Sequence, residues 1–392
     1  MIPEAPIGLS GQRFKVSYLI QADERAALAT AQDICVEQTI ELPIELLPVG
    51  EIRAGIVGQI EGFEVLDRSR ARATISYAVE SAGGELTQLL NVVVGNYSLK
   101  PGVRVEKIEV PEALADAFPG PRFGRQGLRA RIGAHGRPLL CSALKPVGLP
   151  ATALADLAYQ MARGGIDLIK DDHGLANQPF APFEERVKRC SDAVARANRE
   201  TGEHSSYVPN VTASGDEVAR RARQAKAAGA GGLLIAPGLA GLGVMERLAR
   251  DDEIALPILS HPAFQGSYIV APDHGASPYF LFGQLARLAG ADASIFPSFG
   301  GRFSLTREDC RVIVAGTTAS MGAIKPIFPV PAGGMTLDRV PELLGFYGTD
   351  VILLIGGGLF QLGPGLADNC RAFRRSVELA PDPSASLHPP SA

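Results

Sequence analysis

The chain has 392 residues, 46 % hydrophobic and 20 % charged, the balance of a globular protein with a large core. That length suggests two or three domains, or one large barrel with a smaller companion. A net charge of −4, no tryptophan and an aromatic content of only 6 % speak against a nucleic-acid surface, which needs basic patches or stacking platforms.

Cys35, Cys141, Cys190, Cys310 and Cys370 are widely spaced and never form a C-x-x-C pair. Neither a disulfide framework nor a structural zinc site is implied. The N-terminus lacks a basic region followed by an apolar core, and no apolar run approaches the ~18 residues of a membrane span. The expectation is a cytoplasmic protein with no membrane partner.

In chain order, a strand is expected at 14–21, an Ala-rich helix at 24–36, strands near 59–66 and 71–79, a helix around 85–95 and a strand at 103–110. This β-α-β-β-α-β order predicts a small ferredoxin-like α+β domain. A short helix at 111–118 precedes Phe118-Pro119-Gly120-Pro121-Arg122-Phe123-Gly124, and a basic stretch to Arg137 reads as linker. Residues 1–137 are thus assigned to an N-terminal domain with its linker.

From Pro138 the rhythm changes. Strands are expected at 139–144, 166–170, 205–210, 232–236, 257–260, 293–297, 323–328 and 350–355. Helices fall between them at 151–163, 182–199, 215–228, 239–249, 277–288, 306–317, 336–345 and 364–379. Eight strand–helix units predict a (β/α)8 TIM barrel over 138–380, with a doubly wound sheet as the competitor. Residues 381–392, rich in Pro and Ser, read as a disordered tail.

Active sites of such barrels lie at the C-terminal ends of the strands. Lys145-Pro146 follows the first strand, Lys170, Asp172 and His173 the second, and Asn210-Val211-Thr212 the third. Ser260-His261 ends the fifth, and Gly300-Gly301-Arg302 follows the sixth. Gly333-Gly334 and Gly356-Gly357-Gly358 follow the seventh and eighth, where glycine turns let backbone N–H groups approach a phosphate. Two lysines, a carboxylate and two histidines on one rim suit proton removal beside a carbonyl, with a cation holding the enediolate oxygens.

These residues carry a resemblance. Phe118-Pro119-Gly120-Pro121-Arg122, Lys145-Pro146, Gly164-Gly165-Ile166-Asp167, Lys170-Asp171-Asp172, Asn210-Val211-Thr212-Ala213 and the two glycine turns stand in the order seen in the RuBisCO superfamily. The resemblance covers roughly residues 12–380. It implies that Lys170 is carbamylated by carbon dioxide and, with Asp172, holds Mg²⁺. His173 stands where the family has a glutamate ligand. Lys145 matches the proton-handling lysine, and His261 a substrate-contacting histidine. Asn210, Arg302, Gly333, Gly334, Gly357 and Gly358 are expected at the substrate and its phosphate. Glu37 and Asn96 match residues that reach the neighbouring subunit's site, which implies a homodimer with shared active sites.

The departures are as informative. Val147 follows Lys145-Pro146 where carboxylases have a second lysine. Pro262 replaces an expected phosphate arginine, and the loop after strand six lacks its lysine. The chain therefore looks like a RuBisCO-like protein that keeps enolisation and drops carboxylation, most similar to the Rhodospirillum-type group. That resemblance implies a monophosphorylated keto-sugar substrate. Isomerisation of 5-methylthioribulose 1-phosphate is expected. Decarboxylation or hydrolysis of 3-oxo-isoapionate 4-phosphate is the alternative, and a non-catalytic sugar-phosphate sensor a third reading.

Overall fold

A computed structural model describes residues 7–303 and 305–379. The expected tail at 381–392 lies outside them. The N-terminal sheet holds β1 (Arg13–Ile20), β2 (Gln59–Asp67), β3 (Arg70–Ala78) and β4 (Val103–Glu109) in the order β4-β1-β3-β2, every pair antiparallel. Phe14, Val16, Tyr18 and Ile20 recur at period two and bury one face under the helices Glu24–Glu37 and Leu86–Val93. Asp23 starts the first helix by accepting the Ala26 N–H at 2.9 Å. The Tyr18 hydroxyl lies 2.9 Å from that of Tyr77, so the buried phenols satisfy each other.

The barrel strands are β5 (Leu139–Leu144), β6 (Leu168–Asp171), β7 (Ser206–Val208), β8 (Leu233–Ile235) and β9 (Ile258–Ser260). A two-residue strand β10 (Gly275–Ala276) precedes β11 (Ala293–Pro297), β12 (Phe328–Ala332) and β13 (Ile352–Ile355). Without β10 they form one parallel eight-stranded sheet, ordered β7-β6-β5-β13-β12-β11-β9-β8. The ends β7 and β8 meet through the Val211 N–H to Leu234 carbonyl and Leu234 N–H to Pro209 carbonyl bonds, both 2.9 Å, which close the barrel. Inward positions alternate: Leu139 and Cys141, Leu168, Val208, Leu234, Leu259, Ala293 and Ile295, Phe328 and Val330, Ile352 and Leu354 make one buried cluster. Continuing that period places Lys145, Lys170, Asp172 and His261 on the same inward face, above it.

Two expectations change. The seventh strand is Phe328–Ala332, not 323–328. It tolerates Pro329 and Pro331 because their missing N–H groups face β13, which pairs with β12 at one position only. The basic stretch read as linker contains a helix, Gly124–Ile132, whose Leu128 and Ile132 join the inner cluster and plug the barrel floor. Its arginines are committed: Arg129 donates to Asp350 at 2.9 Å and Arg125 to the same carboxylate at 2.7 Å.

The two sheets are joined at an edge. β10 pairs in parallel with β4, and Gln284 of the barrel clasps Ile108, accepting its N–H at 2.9 Å and donating to its carbonyl at 2.7 Å. An otherwise open edge strand is thereby covered. No helix among the described residues is long and apolar enough to cross a membrane.

Candidate active site

Adjacent aspartates on β6 and just beyond it part ways. Asp171 points outward and is fully buried; it accepts the Tyr207 hydroxyl at 2.6 Å, the Asn210 N–H at 3.0 Å and Arg186 Nε at 3.2 Å. It fastens the strand to the helix Phe183–Thr201. Asp172 points into the barrel mouth, where it pairs with Lys145 and lies 3.2 Å from His173 Nδ1. Burial pushes its carboxyl up, but Lys145, the Gly174 N–H and Lys170 outweigh that and hold it below the usual carboxylate range.

Lys170 is 3 % exposed and donates to the Asp171 carbonyl at 2.9 Å. Burial depresses its ammonium, favouring the neutral amine. His173 and His261 stack with ring centres 4.5 Å apart and planes 14° apart. His261 Nδ1 accepts the Ala263 N–H at 3.2 Å, so the proton of the neutral ring sits on Nε2. Burial first, then the positive charge of Lys170, pushes His261 down to about 2, and His173 is lowered chiefly by burial. Both shifts favour the neutral ring.

These groups line a cavity of about 800 Å³ that also receives Arg302 and the glycine turns Gly333-Gly334 and Gly356-Gly357-Gly358. Gly333 and Gly334 hold φ of +92° and +65°, a region a side chain would strain. A Cβ on Gly334 would also meet Arg339 Nη1 at 2.8 Å. Arg339 donates to the Gly334 carbonyl at 2.7 Å and braces this turn. Phe264, 61 % exposed, and Phe303, 55 % exposed, join the lining from the loops after β9 and β11. Sequence reading missed both, since a lone phenylalanine in a loop carries no signal.

Other expected residues lie elsewhere. Asn210 is 2 % exposed and does not line the cavity. Its Nδ2 donates to the carbonyls of His173 at 3.0 Å and Leu175 at 2.9 Å, while its Oδ1 accepts from Thr212. With its hydrogen bonds used, it holds the backbone after β6 rather than a substrate, which corrects the expectation. Glu37 and Asn96 bond to each other at 3.2 Å on the N-terminal domain, away from this chain's own cavity. Gln38 fixes that pair in place by accepting the Tyr97 N–H at 3.1 Å.

Among the described residues no three His, Cys, Asp or Glu side chains are placed to hold a metal. Asp172 and His173 alone are too few donors for a hard cation. A carbamate on Lys170 would supply the missing anionic oxygen, and a buried, neutral-favouring amine is the form that captures carbon dioxide. The residues fit Mg²⁺ on that condition.

Residues 124–384 match the ribulose bisphosphate carboxylase large chain, catalytic domain. The chain is 41 % identical to ribulose bisphosphate carboxylase-like protein 1 of Rhodopseudomonas palustris, over 93 % of this chain and 98 % of that protein. It is 40 % identical to the 5-methylthioribulose-1-phosphate isomerase of Rhodospirillum rubrum, over 96 % and 99 % of the two chains. The crystal structure of a rubisco-like protein from Alicyclobacillus acidocaldarius superposes with a TM-score of 0.86 at 33 % identity, over 97 % and 98 % of the chains. The chain belongs to the RuBisCO large-chain superfamily, within its RuBisCO-like branch.

Proposed function

We propose that this protein is a metal-dependent enolising enzyme that isomerises 5-methylthioribulose 1-phosphate. The observation that carries this is the charge of the cavity: Lys145, Lys170 and Arg302 face a single carboxylate, Asp172, beside two glycine turns. Such a site suits one phosphate and a developing enediolate. Mg²⁺, held by Asp172, His173 and carbamylated Lys170, would draw electron density from the substrate's carbonyl and hydroxyl oxygens. Lys145 takes the proton from the carbon beside the carbonyl. The electron pair of that C–H bond becomes the C=C of the enediolate, and the proton returns to the neighbouring carbon. Repeating the transfer carries the carbonyl two carbons along, a net 1,3-shift. His261, donating through Nε2, steadies the substrate oxygens without gaining charge.

Phe264 and Phe303 give the cavity an apolar flank, which favours a methylthio end over a branched carboxylic acid. The exposed Glu37–Asn96 pair is read as the part of each subunit that completes its partner's site in a homodimer. The test is ¹H NMR of the Mg²⁺- and bicarbonate-treated enzyme with 5-methylthioribulose 1-phosphate in deuterated water. Deuterium incorporation and a shifted carbonyl are expected; neither occurring would overturn the reading.

A second reading rests on Arg302, whose guanidinium has no ion-pair partner among the described residues and stacks only on Phe303, 5.1 Å from its ring centre. A free guanidinium can hold a leaving carboxylate. Carbon dioxide release from 3-oxo-isoapionate 4-phosphate, without turnover of the methylthio sugar, would favour decarboxylation.

A further inference from the structure

Two turns of the active-site wall meet backbone to backbone. Gly300-Gly301 follows β11 and Gly333-Gly334 follows β12, and all four glycines line the cavity. A Cβ on Gly334 would lie 3.0 Å from the Gly300 carbonyl oxygen and 3.2 Å from Gly301 Cα. One on Gly301 would lie 3.3 Å from the Gly333 carbonyl carbon. So close an approach needs residues without side chains. The sheet does not hold it. The last backbone hydrogen bond between the two segments runs from the Ser298 N–H to the Ala332 carbonyl at 2.8 Å, and past it none joins the turns among the described residues.

Arg339 supplies the tie. It ends the one-turn helix Leu337–Arg339, its side chain is 20 % exposed, and it does not line the cavity. Nη1 donates to the Gly334 carbonyl at 2.7 Å, and Nη2 reaches the Phe299 carbonyl at a longer 3.4 Å. One guanidinium thus holds a carbonyl from each side. The group is itself anchored. Nε donates to Glu342 at 3.0 Å, and Glu342 also pairs with Arg307, whose guanidinium lies 4.3 Å from the centre of the Phe299 ring. A planar fork anchored at Nε presents its other two nitrogens in a fixed relation. The geometry of the wall hangs on this tie. Arg302 follows Gly301 directly, so the spacing of the turns sets where its backbone stands relative to the glycine N–H groups after β12.

We propose that Arg339 is a positioning residue for anion binding: by bridging the two turns it fixes Arg302 against the glycine N–H groups, without touching the ligand. This role rests on the reading that these turns hold the substrate's phosphate, and a binding test separates the two. The probe is inorganic phosphate, titrated into the full-length protein and followed by ³¹P NMR, so neither metal nor turnover is needed. The unaltered protein should bind it saturably. Arg339→Met and Arg339→Lys should each bind about tenfold more weakly, because lysine keeps the charge but loses the planar fork. The Lys variant, the milder change, decides alone if the Met variant does not melt as the unaltered protein does. Arg302→Met should weaken binding about tenfold in the unaltered protein and less than about threefold beside Arg339→Met, since an unpositioned Arg302 has less to lose. A role in fold stability alone would leave the effect of Arg302→Met the same in both. Full binding by Arg339→Lys would overturn the bridge in favour of charge alone. Additive losses, or unchanged binding in both Arg339 variants, would overturn it outright. No saturable binding by the unaltered protein would overturn the phosphate turns themselves, and the bridge with them.

Discussion

The floor and the mouth of the barrel both carry ionisable side chains and treat them in opposite ways. At the floor the described buried charges are held by partners. Arg137 grips Asp167 through two bonds of 2.7 and 2.8 Å, Arg374 adds a third at 3.2 Å, and Asp292 takes three backbone N–H groups. At the mouth Lys145, Lys170 and Arg302 share the one carboxylate of Asp172, and burial disfavours the charged form of Lys170. A chain that neutralises one end so thoroughly could have done so at the other. That excess is what a phosphate and an enediolate would relieve, in keeping with the chemistry proposed for the mouth.

The sharpest way to break that contrast is at Lys145. Lys145→Ala should cut deuterium exchange into substrate by about 10²–10⁴-fold, the usual worth of a positioned general base. Metal binding, read by calorimetry, should survive. If exchange persists, the mouth's chemistry has been misassigned. At the floor, Asp167→Ala leaves Arg137 with the Pro138 carbonyl and no carboxylate among the described residues, takes from Arg374 one of its three acidic partners, and should cost about 3–5 kcal/mol in denaturant unfolding. A loss under ~1 kcal/mol would mean that the floor charges are not the structural clamps described.

Lys170→Met sharpens the contrast from the opposite direction. It removes a buried cation whose charged form is disfavoured, so the unliganded protein should gain about 1–3 kcal/mol while Mg²⁺ binding is lost. A drop in melting temperature would refute this. Replacing Phe303 by Ser should raise KM for the methylthio substrate about tenfold with little change in kcat, as loss of one apolar contact does. An unchanged KM would remove Phe303 from the distal end of the site.

The smallest expected effect is a pH dependence at the floor. Burial pushes the Asp350 carboxyl up, but Arg125 and Arg129 prevail and hold it below its ordinary 3.8. A carboxylate depressed in the folded state stabilises it above the unfolded value, and that contribution is lost as pH falls through the folded one. Asp350 is about half exposed, 53 %, so screening limits the effect to below ~1 kcal/mol. Asp350→Asn should flatten unfolding free energy against pH below about 4 by that amount; a larger change would implicate other floor carboxylates.

Much of this was legible in the residues because a strand's side chains alternate. Once β5, β6 and β9 are placed, Lys145, Lys170, Asp172 and His261 must share a face, and the glycine turns fall after the last two strands. The same parity sends Asp171 outward, but its partners Arg186 and Tyr207 come from other elements, and no local pattern joins them. Asn210 illustrates a different blindness. An amide at a strand end looks the same whether it meets a ligand or a neighbouring loop, and only the positions of the His173 and Leu175 carbonyls decide. β10 left no trace because two residues pairing through backbone alone need no particular side chains. The floor helix was hidden by composition, since arginines committed to Asp350 look like those of a solvated linker.

The grip of Asn210 on the carbonyls of His173 and Leu175 has a consequence for position 173. Those bonds are made to backbone carbonyls, so neither of them uses the side chain at 173. The position works as an exchangeable bit in a fixed holder. A different side chain there leaves both bonds available, so the group offered to the cavity can change while Asn210 still holds the loop.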